Sequence, residues 1–327
     1  MNELSIRIYT SGDKLPEGLE EKNIFHSKTF FTLVEPSRRQ RPYMVTMETQ
    51  DGTVVAQMLG IVRFRCSWFP PYLYRHCRIL GEGVYHPDYE DQSATLFGMM
   101  LKKLTTALGR NILYVEVSNL REKMFGYRQF REAGYFPVRW MSIHNSLHSK
   151  APEERLSERM KKRIERSYKL GVETDVVKTE ADFKAFSKLL RRYHWLKPKR
   201  YIPEDSFFCS LINHEACRLY VTRYHQHIIG CSVVFFSQNQ AYLWFSAFRR
   251  KSYAFVHPDI ITIWHALKDA HRMGYEHMFF LDVGLPFKKN GYRDFILRFG
   301  GKPSSTYRWF HISIGWLNRL FSLFYKD

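Results

Sequence analysis

The residues best placed to do chemistry lie in the last third of the chain. Asp282 closes the apolar run Met278-Phe279-Phe280-Leu281. A carboxylate at the end of such a strand can accept a proton, with a pKa raised by partial burial, or can pair with Lys288 or Arg293. Tyr242 and Tyr292 bring phenols able to give a proton or orient a substrate. Arg249-Arg250-Lys251-Ser252 stand just ahead of a helical pattern that begins at Asp259, and a helix N-terminus with cations beside it favours an anion. Covalent catalysis has no motif here, neither GxSxG nor a Cys/His pairing of recognisable spacing. Of the histidines, His225, His227, His214, His257, His265, His271 and His277 form neither HExxH nor a Cys/His ligand set, so no metal is expected.

The elements that must carry these residues occur twice. Gly126-Tyr127-Arg128-Gln129-Phe130 recurs as Gly291-Tyr292-Arg293-Asp294-Phe295, 165 residues on. Each copy follows a strand-like run ending in an acid, Ile112–Glu116 and Met278–Asp282. Each run follows an amphipathic helix: Phe97, Leu101, Leu104 and Leu108 stopped by Gly109, then Ile260, Ile263, Trp264, Leu267 and Ala270 stopped by Gly274. Further upstream each half has a hairpin. One runs Tyr43–Met47, turns at Asp51-Gly52 and returns through Val54–Phe64; the other runs Leu219–Arg223, turns at His225-Gln226-His227 and returns through Ile228–Phe236. A repeat this long is a duplicated domain, since solenoid repeats are several times shorter.

The join is expected near His148–Pro152, giving a first domain over residues 1–150, a second over 151–311 and an amphipathic tail over 312–327. That tail, with Trp316, Leu317, Leu320, Phe321 and Phe324, can dock on its own domain or lie on a membrane face. After the join comes a helix with Leu156, Met160, Ile164 and Tyr168 on one stripe and Arg155, Arg159, Lys162, Arg166 and Lys169 on another. Glu158 with Lys162 and Glu165 with Lys169 are spaced for i,i+4 pairs. The net charge of +18 is lopsided: 19 Lys/Arg against 15 Asp/Glu up to Leu147, then 31 against 17. Such a field attracts phosphates of a cofactor, a nucleic acid or an acidic membrane. At 45% apolar residues the chain has material for two cores. Five cysteines without a CxxC pair predict reduced thiols. The opening residues lack the apolar core of a signal peptide, and no apolar run approaches the ~20 residues of a membrane span. A cytoplasmic protein, at most peripheral to the inner face of the membrane, is expected.

Several pieces in order resemble the FemAB-like (Fem-type) acyltransferases of the GNAT superfamily, tandem-domain enzymes that build peptidoglycan cross-bridges, and their acyl-CoA-using acetyltransferase relatives. The pieces are the basic helix, the helix through Phe183, Phe186, Leu190 and Tyr193, the hairpin ending Ile228-Ile229-Gly230, the strand Ala241–Ala247, His257-Pro258 before a helix with Trp264, then Leu281-Asp282-Val283-Gly284 and Phe295–Gly301. The resemblance covers the second half clearly and the first through the repeat. It implies an α/β (α+β) chain of two tandem GNAT-like domains, each a mixed, mostly antiparallel sheet flanked by helices, with the first a degenerate copy. The family's closing motif has lysine directly after its first phenylalanine, where this chain has Ile296, and the long helical-hairpin insertion of some members is missing.

The resemblance further implies transfer of an activated acyl group to an amine by direct attack. In that fold two neighbouring parallel strands splay apart and expose backbone N–H groups to the reacting carbonyl, here between Ala241–Ala247 and His277–Val283. Asp282, Tyr242 and Tyr292 are then the catalytic candidates. Ser246 and Arg249–Ser252 are expected on the donor, and Lys288, Lys289, Arg293 and Arg298 on the acceptor. The implied donor is acyl-CoA or, in the peptidoglycan branch, a charged tRNA; the implied acceptor is an amine, with an envelope precursor as one candidate. From another class, an inactive membrane- or RNA-binding adaptor would show no phenotype on Asp282→Asn.

Overall fold

The computed structural model describes residues 4–66, 70, 72–120, 123–195, 200–281 and 283–325. The chain divides into two compact units, residues 1–140 with 305–327, and residues 141–304.

The first unit contains β1 (Ser5–Tyr9), α1 (Lys28–Val34), β2 (Gln40–Glu48), β3 (Val54–Cys66), β4 (Leu73–Leu80), β5 (Val84–Tyr85), α2 (Ser93–Leu108), β6 (Tyr114–Ser118), α3 (Tyr127–Glu132) and the start of β7 (Phe136–Ser146). Its sheet runs β1-β2-β3-β4-β6 and ends on a strand from the C-terminus, Lys302–Ile312, with β5 added to β3. All these pairings are antiparallel except β4 with β6. Leu96, Phe97, Met100, Leu101, Leu104 and Leu108 recur at helical spacing in α2, and all are buried against β2 and β3. Each such side chain contributes about 1.5–3 kcal/mol of apolar burial. Gly109, at φ 50, ends the helix. Phe130 of α3 stacks on Trp309 at 4.5 Å in the same core.

The second unit contains α4 (Glu158–Lys169), β8 (Val172–Val176), α5 (Glu180–His194), α6 (Asp205–Ser210), β9 (Cys217–Tyr224), β10 (His227–Ser237), β11 (Gln240–Phe248), α7 (Pro258–Arg272), β12 (His277–Phe280) and α8 (Gly291–Leu297). Its sheet order is β8-β9-β10-β11-β12, closed by the end of β7, where Ile143–Ser146 pair with Phe280–His277. Again every pairing is antiparallel but one, β11 with β12. α7 begins with Pro258 in its first turn, where the missing N–H costs nothing. Ile260, Ile261, Ile263, Trp264, Ala266, Leu267 and Ala270 bury it against β9, β10 and β11. It passes so close to β10 that a Cβ on Gly230 would fall 2.1 Å from Thr262 Oγ1.

The two units therefore share one strand order and one parallel pair in the same place, as the repeat predicts. Their limits differ from a division at residue 150. β7, after α3, belongs to the second unit from Met141, and the strand after α8, β13 (Lys302–Ile312), belongs to the first from Ser305. The tail beyond it forms α9 (Gly315–Phe324) within the first unit. A sequence read linearly cannot register such an exchange, because either strand satisfies the same alternating pattern.

Candidate functional site

Among the described residues β11 and β12 pair over Gln240–Leu243 and His277–Phe280, with a further bond from Leu281 N–H to the Leu243 carbonyl. β11 then runs on to Phe248 after β12 has ended. On its other side β11 carries a bulge: Leu243 pairs with Val234 and Phe245 with Val233, leaving Trp244 as the extra residue. A bulge shifts the alternation of the backbone groups. Arg249 N–H bonds Ile229 on β10, so Ser246 and Phe248 direct their backbone groups to the side that β12 has left. Side chains confirm that edge. Arg200 donates to the Trp244 carbonyl, and His194 Nε2 to the Ser246 carbonyl at 3.2 Å. With those two acceptors occupied, the Ser246 and Phe248 N–H groups on that side are donors of the kind that stabilises a developing oxyanion.

The opening leads into a cavity of about 1220 Å³. α5 forms one wall through Lys188, Arg192, Tyr193 and His194. The β9–β10 turn, the Arg249–Ser252 loop and the start of α8 complete it. Among the described residues seven Lys/Arg side chains line it (Lys188, Arg192, Arg200, Arg223, Arg249, Arg250, Lys251) against two aspartates. Both acids are engaged: Asp182 with Arg223, and buried Asp259 with Arg250 at 3.4 Å. Burial alone would raise the Asp182 carboxyl, but hydrogen bonds from Arg223 and Thr179 hold it below the usual range. The surplus is positive, which suits a polyanionic ligand.

One polar pair stands at the open edge. Tyr292 Oη lies 3.4 Å from Ser246 Oγ, and either can donate. Tyr292 is aimed by the start of α8. Asn290 caps that helix by accepting from Tyr292 N–H at 3.0 Å and Arg293 N–H at 3.2 Å, and its Nδ2 donates to the Val283 carbonyl at 2.8 Å. The loop after β12 and the first turn of α8 are thus fixed as one piece. Beside them the Tyr193 phenol is pushed above its usual pKa, first by burial and then by Tyr292 and Asp259.

Of the residues singled out in the sequence, Ser246, Arg249, Arg250, Lys251, Ser252 and Tyr292 all line this cavity. Asp282 lies outside the described residues. Tyr242 does not reach the cavity; it is buried, with its ring stacked on Phe279 at 5.4 Å, because its place on β11 faces the neighbouring strand's aromatic. Arg293 donates to the loop backbone, to Leu285 O at 2.7 Å and Lys288 O at 3.0 Å, and is not among the residues lining the cavity. Lys288, Lys289 and Arg298 are exposed and outside the lining.

The basic helix also departs from expectation. Glu158 pairs with Lys161, not Lys162, while Glu165 does pair with Lys169. Arg155 precedes α4 and bonds Ser149. What remains is a cationic side, Arg159, Lys162, Arg163 and Arg166, which with His257 lines a separate hollow of about 570 Å³. Burial, then Arg163 and Arg166, push the His257 pKa down against the pull of Asp259. Sequence reading missed Tyr193, His194, Lys188 and Arg192, although Arg191-Arg192-Tyr193-His194 is a dense polar run at the end of an amphipathic helix. It also missed that His257-Pro258-Asp259 repeats His86-Pro87-Asp88, a second signature of duplication.

The equivalent place in the first unit is built differently. β4 and β6 pair from His76–Tyr114 to Leu80–Ser118, and a further bond joins Gly81 N–H to Ser118 O. That pairing runs to the last residue of both strands. The segment after β4 carries Glu82, Asp88, Glu90 and Asp91 and no Lys or Arg, where the segment after β11 carries Arg249, Arg250 and Lys251. Among the described residues no group of three His, Cys, Asp or Glu is gathered to hold a metal, and no helix is long and apolar enough to cross a membrane.

Residues 155–289 match the acetyltransferase (GNAT) domain family. Among solved structures the chain is similar to FemX, with a TM-score of 0.64 and 10% identity over 97% of this chain and 100% of that one. It is also similar to L-PGS from Bacillus licheniformis, at 0.58 and 11% over 96% and 99%. A tandem GNAT protein from the clavulanic acid biosynthesis pathway aligns at 0.55 and 8% over 95% and 99%. At these identities the likeness is one of fold. No curated protein matches the sequence.

Proposed function

We propose, from a chain whose second half carries a GNAT acetyltransferase domain on a FemAB-like fold, that the second unit moves an acyl group from an acyl-CoA-type donor to an amine. The observation that carries this reading is the edge of β11 beyond Leu243, open to one side and floored by a cation-lined cavity. Arg249, Arg250, Lys251 and Ser252 would hold the donor's phosphates, and the edge N–H groups would take its carbonyl oxygen. The amine nitrogen attacks the carbonyl carbon, forming the C–N bond as the C–S bond breaks. The amine's proton passes to the Asp282 carboxylate, and the departing thiolate takes a proton from Tyr292, whose hydroxyl stands beside Ser246. Under this reading the first unit is a degenerate copy, and the protein works in the cytoplasm or against the inner face of the membrane.

The second reading is an aminoacyl transfer from charged tRNA to a peptidoglycan precursor. It is favoured by the cationic side of α4, which adds four Lys/Arg to those of the cavity. A panel of acyl-CoA thioesters with amine acceptors, assayed by product mass, tests the first reading. Turnover of none of them, together with tRNA binding that weakens steeply with salt, would move the assignment to the second.

A further inference from the structure

We propose that α9 and the neighbouring start of β4 form a surface that docks on an anionic lipid bilayer. The inference stands apart from the acyl-transfer reading, since it concerns the first unit alone.

α9 is apolar on two faces. One is docked: Phe321 and Tyr325 stack on Phe136 at 5.8 and 5.7 Å, and Asn318 donates to Gly134 O at 2.9 Å while accepting from Ile312 N–H at 2.8 Å. The other carries Trp316, Leu320, Leu323 and Phe324, spaced i, i+4, i+7 and i+8 as a single stripe. It is left in water, with Trp316 70%, Leu323 61% and Phe324 75% exposed. Trp316 and exposed Ile314 meet exposed Leu73 around a hollow of about 580 Å³. Scattered surface leucines need no explanation; a run of large apolar groups of this extent marks a contact surface.

The charge around the patch selects the occupant. Arg75 and Arg110 line the hollow, and exposed Arg319 flanks the stripe. Among the described residues no carboxylate lines the hollow or lies on α9, and the sequence has no Asp or Glu from Gly52 to Gly81 or from Lys302 to Lys326. A second copy docked about a twofold axis would set this patch against itself and oppose like charges. A bilayer with acidic headgroups answers both features: hydrocarbon for the stripe, with tryptophan at the interface, and negative charge for the arginines. Ten residues of helix span roughly 15 Å, a length that lies in the interface plane.

The test is co-sedimentation of the full chain with vesicles of phosphatidylcholine alone and of roughly 7:3 phosphatidylcholine to phosphatidylglycerol. The expected result is binding to the second and not the first, reduced several-fold by high salt or by Arg110→Glu with Arg319→Glu. Trp316→Glu with Phe324→Glu should weaken it tenfold or more while leaving the melting temperature unchanged, because both side chains are already exposed. Absence of binding by the folded chain overturns the proposal. So does binding that survives W316E/F324E but is lost in an Arg159→Ala, Arg163→Ala control, which would place the lipid contact on α4. A dimer dissociated by W316E/F324E without lipid would assign the patch to a second copy and overturn it equally.

Discussion

Removing Arg249 and Lys251 tests whether the cavity grips phosphate. Both line it, both are exposed, and among the described residues neither is in an ion pair; the Arg249 guanidinium lies 5.1 Å over the Tyr253 ring. Their loss should therefore remove positive field without orphaning a carboxylate, unlike loss of Arg250, which would strip buried Asp259 of its partner. A unit charge 4 Å from a phosphate is worth about 1 kcal/mol in water and about 4 kcal/mol near a protein surface. Because these side chains reach solvent, the lower part of that range applies, ~1–2 kcal/mol each, or roughly 5- to 30-fold in dissociation constant. The assay is calorimetric binding of a coenzyme A thioester and of the matching pantetheine thioester, which keeps the acyl group but lacks the nucleotide phosphates. Arg249→Ala and Lys251→Ala should each weaken the first ligand by that factor at low salt and by less at high salt, where the field is screened. The pantetheine thioester should bind both variants as it binds the original chain. Equal weakening of the two thioesters, or none for either, would refute the assignment of this loop to phosphates.

Other perturbations reach different parts of the argument. Tyr292→Phe keeps the ring and removes the proton beside Ser246; kcat should fall about 10²-fold with KM little changed, and an unaltered kcat would remove Tyr292 from the chemistry. Gly230→Ala forces a methyl against Thr262, itself bonded to Pro258 O and Thr222, and should cost about 1–3 kcal/mol in chemical denaturation; a neutral result would mean α7 can shift on its sheet. His26 is wholly buried, which drives its pKa down from 6.5 to about 3 against a hydrogen bond to Gly81. Its folded pKa is below the unfolded one, so its stabilising share is complete above pH 6.5. That share is lost as pH falls toward 3, at up to about 1.4 kcal/mol per pH unit. Comparing unfolding free energies of the original chain and His26→Gln between pH 7 and pH 4.5 should show the original curve falling more steeply, and parallel curves would sink this account.

Periodicity made much of this legible. Both hairpins, α2, α4, α5, α7 and the strand Gln240–Phe248 follow from alternation, helical spacing and glycine stops, because local pattern and tertiary burial agree there. The Arg249–Lys251 side of the cavity was legible for the same reason: three cations before a helix start are adjacent in sequence and stay adjacent in space. The rest depends on which distant residue a side chain meets. Nothing local tells that Arg293 spends its guanidinium on Leu285 and Lys288 carbonyls, or that Tyr242 lies flat on Phe279. Nor does composition tell that His194, more than fifty residues before Ser246, bonds its carbonyl. The exchange of β7 and β13 was hidden because the two strands are interchangeable as patterns and differ only in the sheet they join.

The bond between Gly81 and Ser118 has a consequence beyond its own small energy. It is one more rung on a ladder that, in the other copy, stops at Leu281 and Leu243. Peptide groups zipped to a neighbouring strand are spent on holding the fold, while Ser246 and Phe248, past the last rung, turn theirs to the side that β12 has left. The length of a single parallel ladder thus sets apart two units of one strand order: one ladder runs to the ends of both its strands, the other leaves the end of β11 without β12 beside it.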